Sequence, residues 1–429
     1  MPPVRVLLLG YFFYMFCGWV LLCLPMSQVT PQPALDHLFT AVSATSTTGL
    51  ATLSTGQDYT FWGQLVILAL IQLGGIGYMT LGSFVILSRS SVLNPLNKSV
   101  SSTAFSLPEG FRLERFIRHV IIFTLIVEAL GALALFFILR PEGGLLAHSW
   151  NAVFHSVSAF CTAGFSLYGD SFMSYRGDVA LNLVIGALSY CGAIGFIVLS
   201  EFWEVFTNRK KGLSLTSKII LQFTFWSSVI GTLFLFTIDQ SMVGAPVEER
   251  LLSSWFQVMT SLTTVGFNTH DFALFSQASA FFIFLFMFVG ASPSGTGGGL
   301  KSTTVTAMWG VMQSTLRQCE NVVFKGKSIP VHRVRSAISA TCFYGVTLIV
   351  GLLLLTLVEK QDFLNLSFEA LSALGTVGTS RGSTGELTVL GKLIIIFMMF
   401  VGRLGPLTFG LAVFPQLSAE EGGEEDLAV

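Results

Sequence analysis

Four stretches decide how the chain is read: AVSATSTTGLA (41–51), SVSAFCTAGFS (156–166), QVMTSLTTVGF (257–267) and ALSALGTVGTS (370–380). Each sets a glycine (Gly49, Gly164, Gly266, Gly378) behind a run of Thr, Ala and Val, at intervals of 115, 102 and 112 residues. A short amphipathic helical stretch precedes each one, at 36–46, 149–160, 253–262 and 366–374. None of these can cross a bilayer, which takes about 20 residues. On both sides lie apolar runs that can: 4–24 and 61–88, 113–139 and 179–207, 217–239 and 278–315, 333–358 and 387–413. Self-similarity at this period points to one unit used four times.

The expected fold is therefore an all-α polytopic membrane protein. It has four helix–pore-helix–helix repeats, eight transmembrane helices and four re-entrant pore loops, with pseudo-fourfold symmetry. The expected divisions are 1–90, 91–212, 213–325 and 326–415, followed by an acidic cytoplasmic tail at 416–429. Non-helical backbone at membrane depth survives only where protein buries it or where it lines a watery cavity. Four such loops imply one central pathway.

Composition agrees. Of 429 residues, 52% are hydrophobic and 11% charged, against about 25% charged in an average soluble chain, and mean hydropathy is +0.72. The excess apolar surface must meet lipid. A net charge of -1 supplies no basic field for nucleic acid. The six cysteines fall singly, as small core residues. An opening apolar run after Arg5 has two readings, a cleaved signal peptide or a retained first helix. Its length and the repeat favour the helix.

Basic residues near span ends report orientation. Fifteen, among them Arg5, Arg89, Lys98, Arg112, Arg209, Lys210, Arg317 and Arg333, fall on one side. Five (Arg140, Arg176, Arg250, Lys360, Arg381) accompany the short helices. Both termini are expected in the cytoplasm and all four loops outside.

A dehydrated potassium ion needs oxygen dipoles in place of its water shell. A Thr/small/Gly loop can stack backbone carbonyls, since glycine reaches angles closed to other residues. The short helix also directs the negative end of its dipole toward the cation. One such loop would read as a turn; four in register read as a filter.

TTGL (47–50), TAGF (162–165), TVGF (264–267) and TVGT (376–379), with GTGGGLKSTT (295–304) and GRLGPLT (402–408), resemble the signatures of the Ktr/Trk/HKT superfamily of potassium transporters. They are most similar to the Ktr membrane subunits. The likeness covers about residues 5–415. It implies that potassium is held by backbone at Thr47, Thr48 and Gly49, Thr162, Ala163 and Gly164, Thr264, Val265 and Gly266, and Thr376, Val377 and Gly378. Superfamily members selective for sodium carry serine at the first filter glycine; Gly49 therefore favours potassium. Thr379 departs from the pattern, standing where a bulkier apolar residue is usual. The likeness further implies a homodimer on a separate cytoplasmic nucleotide-binding ring, in the plasma (cell inner) membrane. No dinucleotide fingerprint occurs in this chain. Sodium as a coupling ion is undecided by the loops, and a Trk-type or sodium-permeable cation transporter is the alternative.

The run 278–315 would measure about 57 Å as one helix, nearly twice the hydrocarbon thickness of about 30 Å. Its middle, GASPSGTGGGLK (290–301), is too rich in Gly, Pro and Ser for a continuous helix. A break at membrane depth is expected, with a simple glycine-packed kink as the plainer reading. The resemblance makes it a gate comprising Gly290, Ser292, Ser294, Gly295, Gly297, Gly298, Gly299 and Lys301. Arg403 lies within the last span, where a charge is costly. It either faces the pathway as part of that gate or pairs with a buried acid such as Glu201 or Glu128. Pro406 is expected to kink the helix just beyond it. Glu369 can support the fourth filter, and Glu128 reads as a helix-packing hydrogen bond.

Enzyme signals are weak. GTSRG (378–382) fits G-x-S-x-G, but no strand precedes it; an integral-membrane serine hydrolase using Ser380 is the distant alternative. GTGGGLKS lacks the lysine spacing of a phosphate loop, and the histidines lack ligand spacing. A carrier for organic solutes predicts inverted repeats, whereas these all run one way. No catalytic residue and no organic cofactor are expected.

Overall fold

The computed structural model describes residues 3–77, 113–141, 143–319 and 321–414. Arg89, Lys98, Arg112, the end of the second span at 78–88, the first repeat boundary at 90 and the tail at 416–429 lie outside the described residues.

The described chain is helical apart from one hairpin. In the first repeat α1 (Pro3–Leu22) leads to the short α2 (Ala34–Thr45) and then α3 (Phe61–Ile76). The second has α4 (Leu113–Ile138), the short α5 (Gly144–Phe160), α6 (Val179–Ile194) and α7 (Phe196–Phe206). In the third, α8 (Leu215–Ile238) and the short α9 (Val247–Thr263) precede α10 (Gln277–Phe288) and α11 (Ser302–Leu316). The hairpin β1 (Val323–Phe324) and β2 (Lys327–Ser328) pairs antiparallel, Phe324 opposite Lys327. The fourth repeat follows as α12 (Val331–Val358), the short α13 (Phe363–Gly375), α14 (Val389–Leu404) and α15 (Pro406–Val413).

Each second helix opens with a side-chain cap, which fixes where the chain re-enters the apolar layer. Thr60, Asp178, Ser276 and Thr388 accept from the backbone N–H of Gly63, Leu181, Ser279 and Gly391. Each short helix packs between its own two partners, and each second helix also packs on the next repeat's short helix. Thus α3 meets α5, α6 meets α9, α10 meets α13, and α14 returns to α2. This circle buries the short helices, including Phe39, Phe154, Phe160, Phe256 and Phe368.

Among the described residues, α1, α4, α8 and α12 are long and apolar enough to cross a membrane, and the bent pairs α6–α7 and α14–α15 raise the number to six. The shorter apolar α3 and α10 occupy the remaining second-helix positions. Only 17–28% of the apolar stretch in each of the four long helices is buried within the protein. Such surfaces belong in lipid.

Two expected spans are not single helices. The run 179–207 turns by 97° at Gly195, and the run 387–413 turns by 101° at Gly405. Both glycines have positive φ, 96° and 82°, as does Gly77 (87°) at the end of α3. The break at Gly195 is held by outside partners: the Phe196 and Ile197 N–H groups donate to the Ser294 carbonyl and Oγ, each at 3.2 Å. In the third repeat the same place is taken by the irregular segment 289–301, as the glycine content led us to expect.

Candidate functional site

The four loops share one backbone path. Thr47, Thr162, Thr264 and Thr376, closing the four short helices, have φ of 52°, 51°, 58° and 49°. A β-branched residue there is a genuine outlier, and such strain concentrates at functional positions. The next N–H folds back: Thr48 to Ser43 O, Ala163 to Ser158 O, Val265 to Thr260 O and Val377 to Ser372 O, at 2.8–3.0 Å. The Ser43 and Ser372 hydroxyls accept from Gly49 and Gly378 N–H at 3.1 Å. The N–H groups of the four middle residues, and of Gly49 and Gly378, are thereby engaged.

The glycines close a ring. A Cβ on Gly49 would overlap Ala163 O, one on Gly164 would overlap Val265 O, one on Gly266 would stand 2.6 Å from Val377 O, and one on Gly378 would overlap Thr48 O. Every repeat leans its glycine on the middle loop carbonyl of the next. No donor among the described residues meets the carbonyl oxygens of 47–49, 162–164, 264–266 or 376–378. Buried acceptors without donors call for a reason, and a ring of them can replace the water shell of a cation.

The segment 289–301 lies against all four loop threonines. The Thr296 carbonyl accepts from Thr47 Oγ1 at 3.3 Å, and Thr296 Oγ1 is 3.0 Å from Thr162 Oγ1. Gly298 N–H donates to Thr264 Oγ1 at 3.2 Å, while a Cβ on Gly298 would overlap Thr376 Oγ1. The segment is anchored to α6 by Ser292 N–H to Ala193 O (3.0 Å) and Thr296 N–H to Gly192 O (3.1 Å). Ser292 Oγ meets Ser302 Oγ at 3.2 Å, Gly295 N–H donates to Ser292 O, and Gly290 packs on the Gly298–Gly299 backbone. Lys301 Nζ donates to the carbonyls of Gly297 (2.7 Å) and Gly298 (3.3 Å).

Arg403, in the last turn of α14, donates to Thr47 Oγ1 at 2.8 Å and to Gly75 O at 3.2 Å, and also to Thr296 O and Gly74 O. Among the described residues no acid pairs with it. Glu201 is taken by Lys210 at 2.8 Å, and Glu128 accepts from Gln72 Nε2 at 3.0 Å. The guanidinium instead ties the first loop, the broken segment and α3 together through neutral acceptors. Thr379 is buried with its hydroxyl 4.0 Å from Met287 Sδ.

Thr296 and the carbonyls of Gly74 and Gly75 were not singled out from sequence. Thr296 sits in a run of small polar residues with nothing to mark it. Ser380 donates to Glu369 and accepts from Gly382 N–H at 2.9 Å, with no imidazole in its hydrogen bonds.

Residues 20–420 match the family model of TrkH, described as a cation transport protein. The chain is 38% identical over 414 residues to Ktr system potassium uptake protein B of Bacillus subtilis, covering 95% of this chain and 92% of that protein. It is 32% identical to the protein of the same name in Vibrio alginolyticus (94% and 90% covered) and 31% identical to potassium/sodium uptake protein NtpJ of Enterococcus hirae (95% and 92%). In fold it is similar to the crystal structure of the potassium transporter TrkH from Vibrio parahaemolyticus, with a TM-score of 0.77 at 18% identity, covering 96% of this chain and 84% of that one.

Proposed function

Because the chain belongs to the TrkH family of cation transport proteins, and that family transports rather than catalyses, we propose that it is the potassium-translocating membrane subunit of a Ktr-type uptake system. The observation that carries this reading is the closed ring of Gly49, Gly164, Gly266 and Gly378, with carbonyls beside it that meet no donor among the described residues. Potassium, as substrate, passes the carbonyls of Thr47–Gly49, Thr162–Gly164, Thr264–Gly266 and Thr376–Gly378. The short helices α2, α5, α9 and α13 are its pore helices. The segment 290–301, with Arg403, is the gate. It bears on the threonine end of all four filters and brings two basic side chains, Lys301 and Arg403, to that end.

The protein works in the plasma (cell inner) membrane with both termini cytoplasmic, as a homodimer on a separate nucleotide-binding ring. Relatives named for a Ktr system support that partnership. Sodium is the second ion to test, since NtpJ is named for both. The decisive experiment is uptake in a potassium-transport-deficient bacterium, with and without sodium and with and without a candidate ring subunit. Restored potassium uptake is expected. A well-expressed protein that moves neither ion would end this reading.

A further inference from the structure

Counting back seven residues from each loop threonine reaches Thr40, His155, Gln257 and Glu369. All four are buried. In three repeats the side chain reaches across to the segment leaving the loop. His155 Nδ1 is 2.8 Å from Asn151 O, and its Nε2 is 2.9 Å from Ser166 Oγ and 3.3 Å from Leu167 N. A carbonyl only accepts and an amide N–H only donates. So Nδ1 carries the proton, and Nε2 accepts from both Ser166 and Leu167. Gln257 Nε2 donates to His270 O. Glu369 accepts from Ser380 Oγ through one oxygen and from Thr384 Oγ1 at 2.7 Å through the other. Thr40 differs, its hydroxyl donating within its own helix to Asp36 O at 2.9 Å.

Repeats two and four use one device. Ser166 and Ser380 each stand eleven residues after the buried acceptor and four after the loop threonine. The fourth is the more demanding, because it buries a carboxylate. No basic side chain pairs with Glu369 among the described residues. The adjacent Arg381 turns away, donating to Asn365 Oδ1 and to the carbonyls of Phe272 (2.7 Å), Ala273 (3.2 Å) and Phe275 (3.3 Å). A carboxylate offers acceptors only, so converging donors are what make its burial tolerable. Ser380 lies two residues beyond Gly378, a reach of at most about 7 Å of chain. Any slack in the Ser380 anchor passes directly to the carbonyls of 376–378.

We infer that Glu369 is a positioning residue for cation selectivity. It fixes the exit of the fourth loop so that Gly378 and its carbonyl keep register with Thr48, and His155 does the same for the second loop. This rests on the reading of the four loops as a selectivity filter. The test is the potassium/sodium uptake ratio, normalised to folded protein in the membrane, for Glu369→Gln, Ser380→Ala, Ser380→Thr and, as the filter control, Gly49→Ser. An amide at 369 removes the charge that strengthens both bonds and makes one hydroxyl, Ser380 or Thr384, turn from donor to acceptor to meet its NH2, and Ser380→Ala removes the anchor from the other side. Both should lower the ratio by about tenfold or more, the scale of one lost charged hydrogen bond. Ser380→Thr, which keeps the hydroxyl, should stay within about twofold of the parent. If Glu369→Gln does not fold, Ser380→Ala and Thr384→Ala decide the matter. A parental ratio in the Glu369 and Ser380 variants, beside a changed ratio in Gly49→Ser, overturns the inference and leaves the filter standing. A parental ratio in all of them overturns the filter, and this inference with it.

Discussion

A methyl group on Gly378 would overlap the carbonyl oxygen of Thr48, so the last loop in the chain is seated directly on the first. The contact joins residues 330 positions apart in sequence. It completes a circle already set by the packing of α14 on α2. With nothing larger than hydrogen tolerated at four places round the ring, its bore is a property of the backbone.

Gly49→Ser should weaken discrimination between potassium and sodium. Gly49 has φ of +95°, and a side chain there would meet Ala163 O. A non-glycine residue in left-handed backbone costs about 1–2 kcal/mol. Relaxation of that strain widens or tilts one quarter of the ring. A loss of about tenfold in the uptake ratio, near 1.4 kcal/mol, is expected. Parental selectivity in a folded variant would refute the filter assignment.

Deleting residues 294–298 should raise flux while the bundle persists. The deletion removes Thr296, with its bonds to Thr47, Thr162 and Arg403, and the Ser294 anchor of α7. None of these residues belongs to a helix. Uptake per folded molecule is the readout, and an unchanged or lower rate would contradict a barrier at this segment.

Arg403→Gln should also raise flux, and its stability cost should be modest. Two like charges 4 Å apart at an effective dielectric near 20 repel by about 4 kcal/mol, an upper guide to the barrier removed. Its partners are carbonyls and a hydroxyl, so no acid among the described residues is stranded. The loss should stay near 1.5–3 kcal/mol, the worth of a charged hydrogen bond. Thermal melting and uptake on one preparation separate the effects; reduced stability with unchanged flux would reject a gating role.

Gly402→Ala and Gly410→Ala should move stability in opposite directions. A Cβ on Gly402 would overlap Leu374 O, wedging α14 off α13. Overpacking of this kind costs about 1–3 kcal/mol. At Gly410 the nearest neighbour would be Phe343 at 3.5 Å, an ordinary contact, and alanine in a helix is favoured by up to about 1 kcal/mol. Melting in detergent reports both, and equal shifts would show that the tight seam at Gly402 has no energetic weight.

The sequence made the loops legible because they needed residues, not just shape. Glycine at 49, 164, 266 and 378 and threonine two positions earlier leave a repeated signature, as does the glycine run of 290–301. The turn at Gly195 left none. The stretch CGAIGF (191–196) is apolar throughout, and its break is imposed by Ser294, a residue 99 positions away. Arg403 stood out as a charge in an apolar run, yet its partners were invisible, because the Gly74 and Gly75 carbonyls exist at every position of every sequence. The Glu369 anchor was half visible. A buried acid could be suspected there, but its donors Ser380 and Thr384 sit in what reads as an ordinary polar loop.

The glycine-on-carbonyl ring has a consequence for how such a protein can change over time. In an assembly of four identical chains, one codon change alters every quadrant of the pore at once, and an intermediate design cannot be tried. Here each quadrant is encoded separately, and its glycine faces a different neighbour: Ala163, Val265, Val377 or Thr48. Selectivity can drift by quarters, and a tolerated change in one wall can be answered later in the wall it touches.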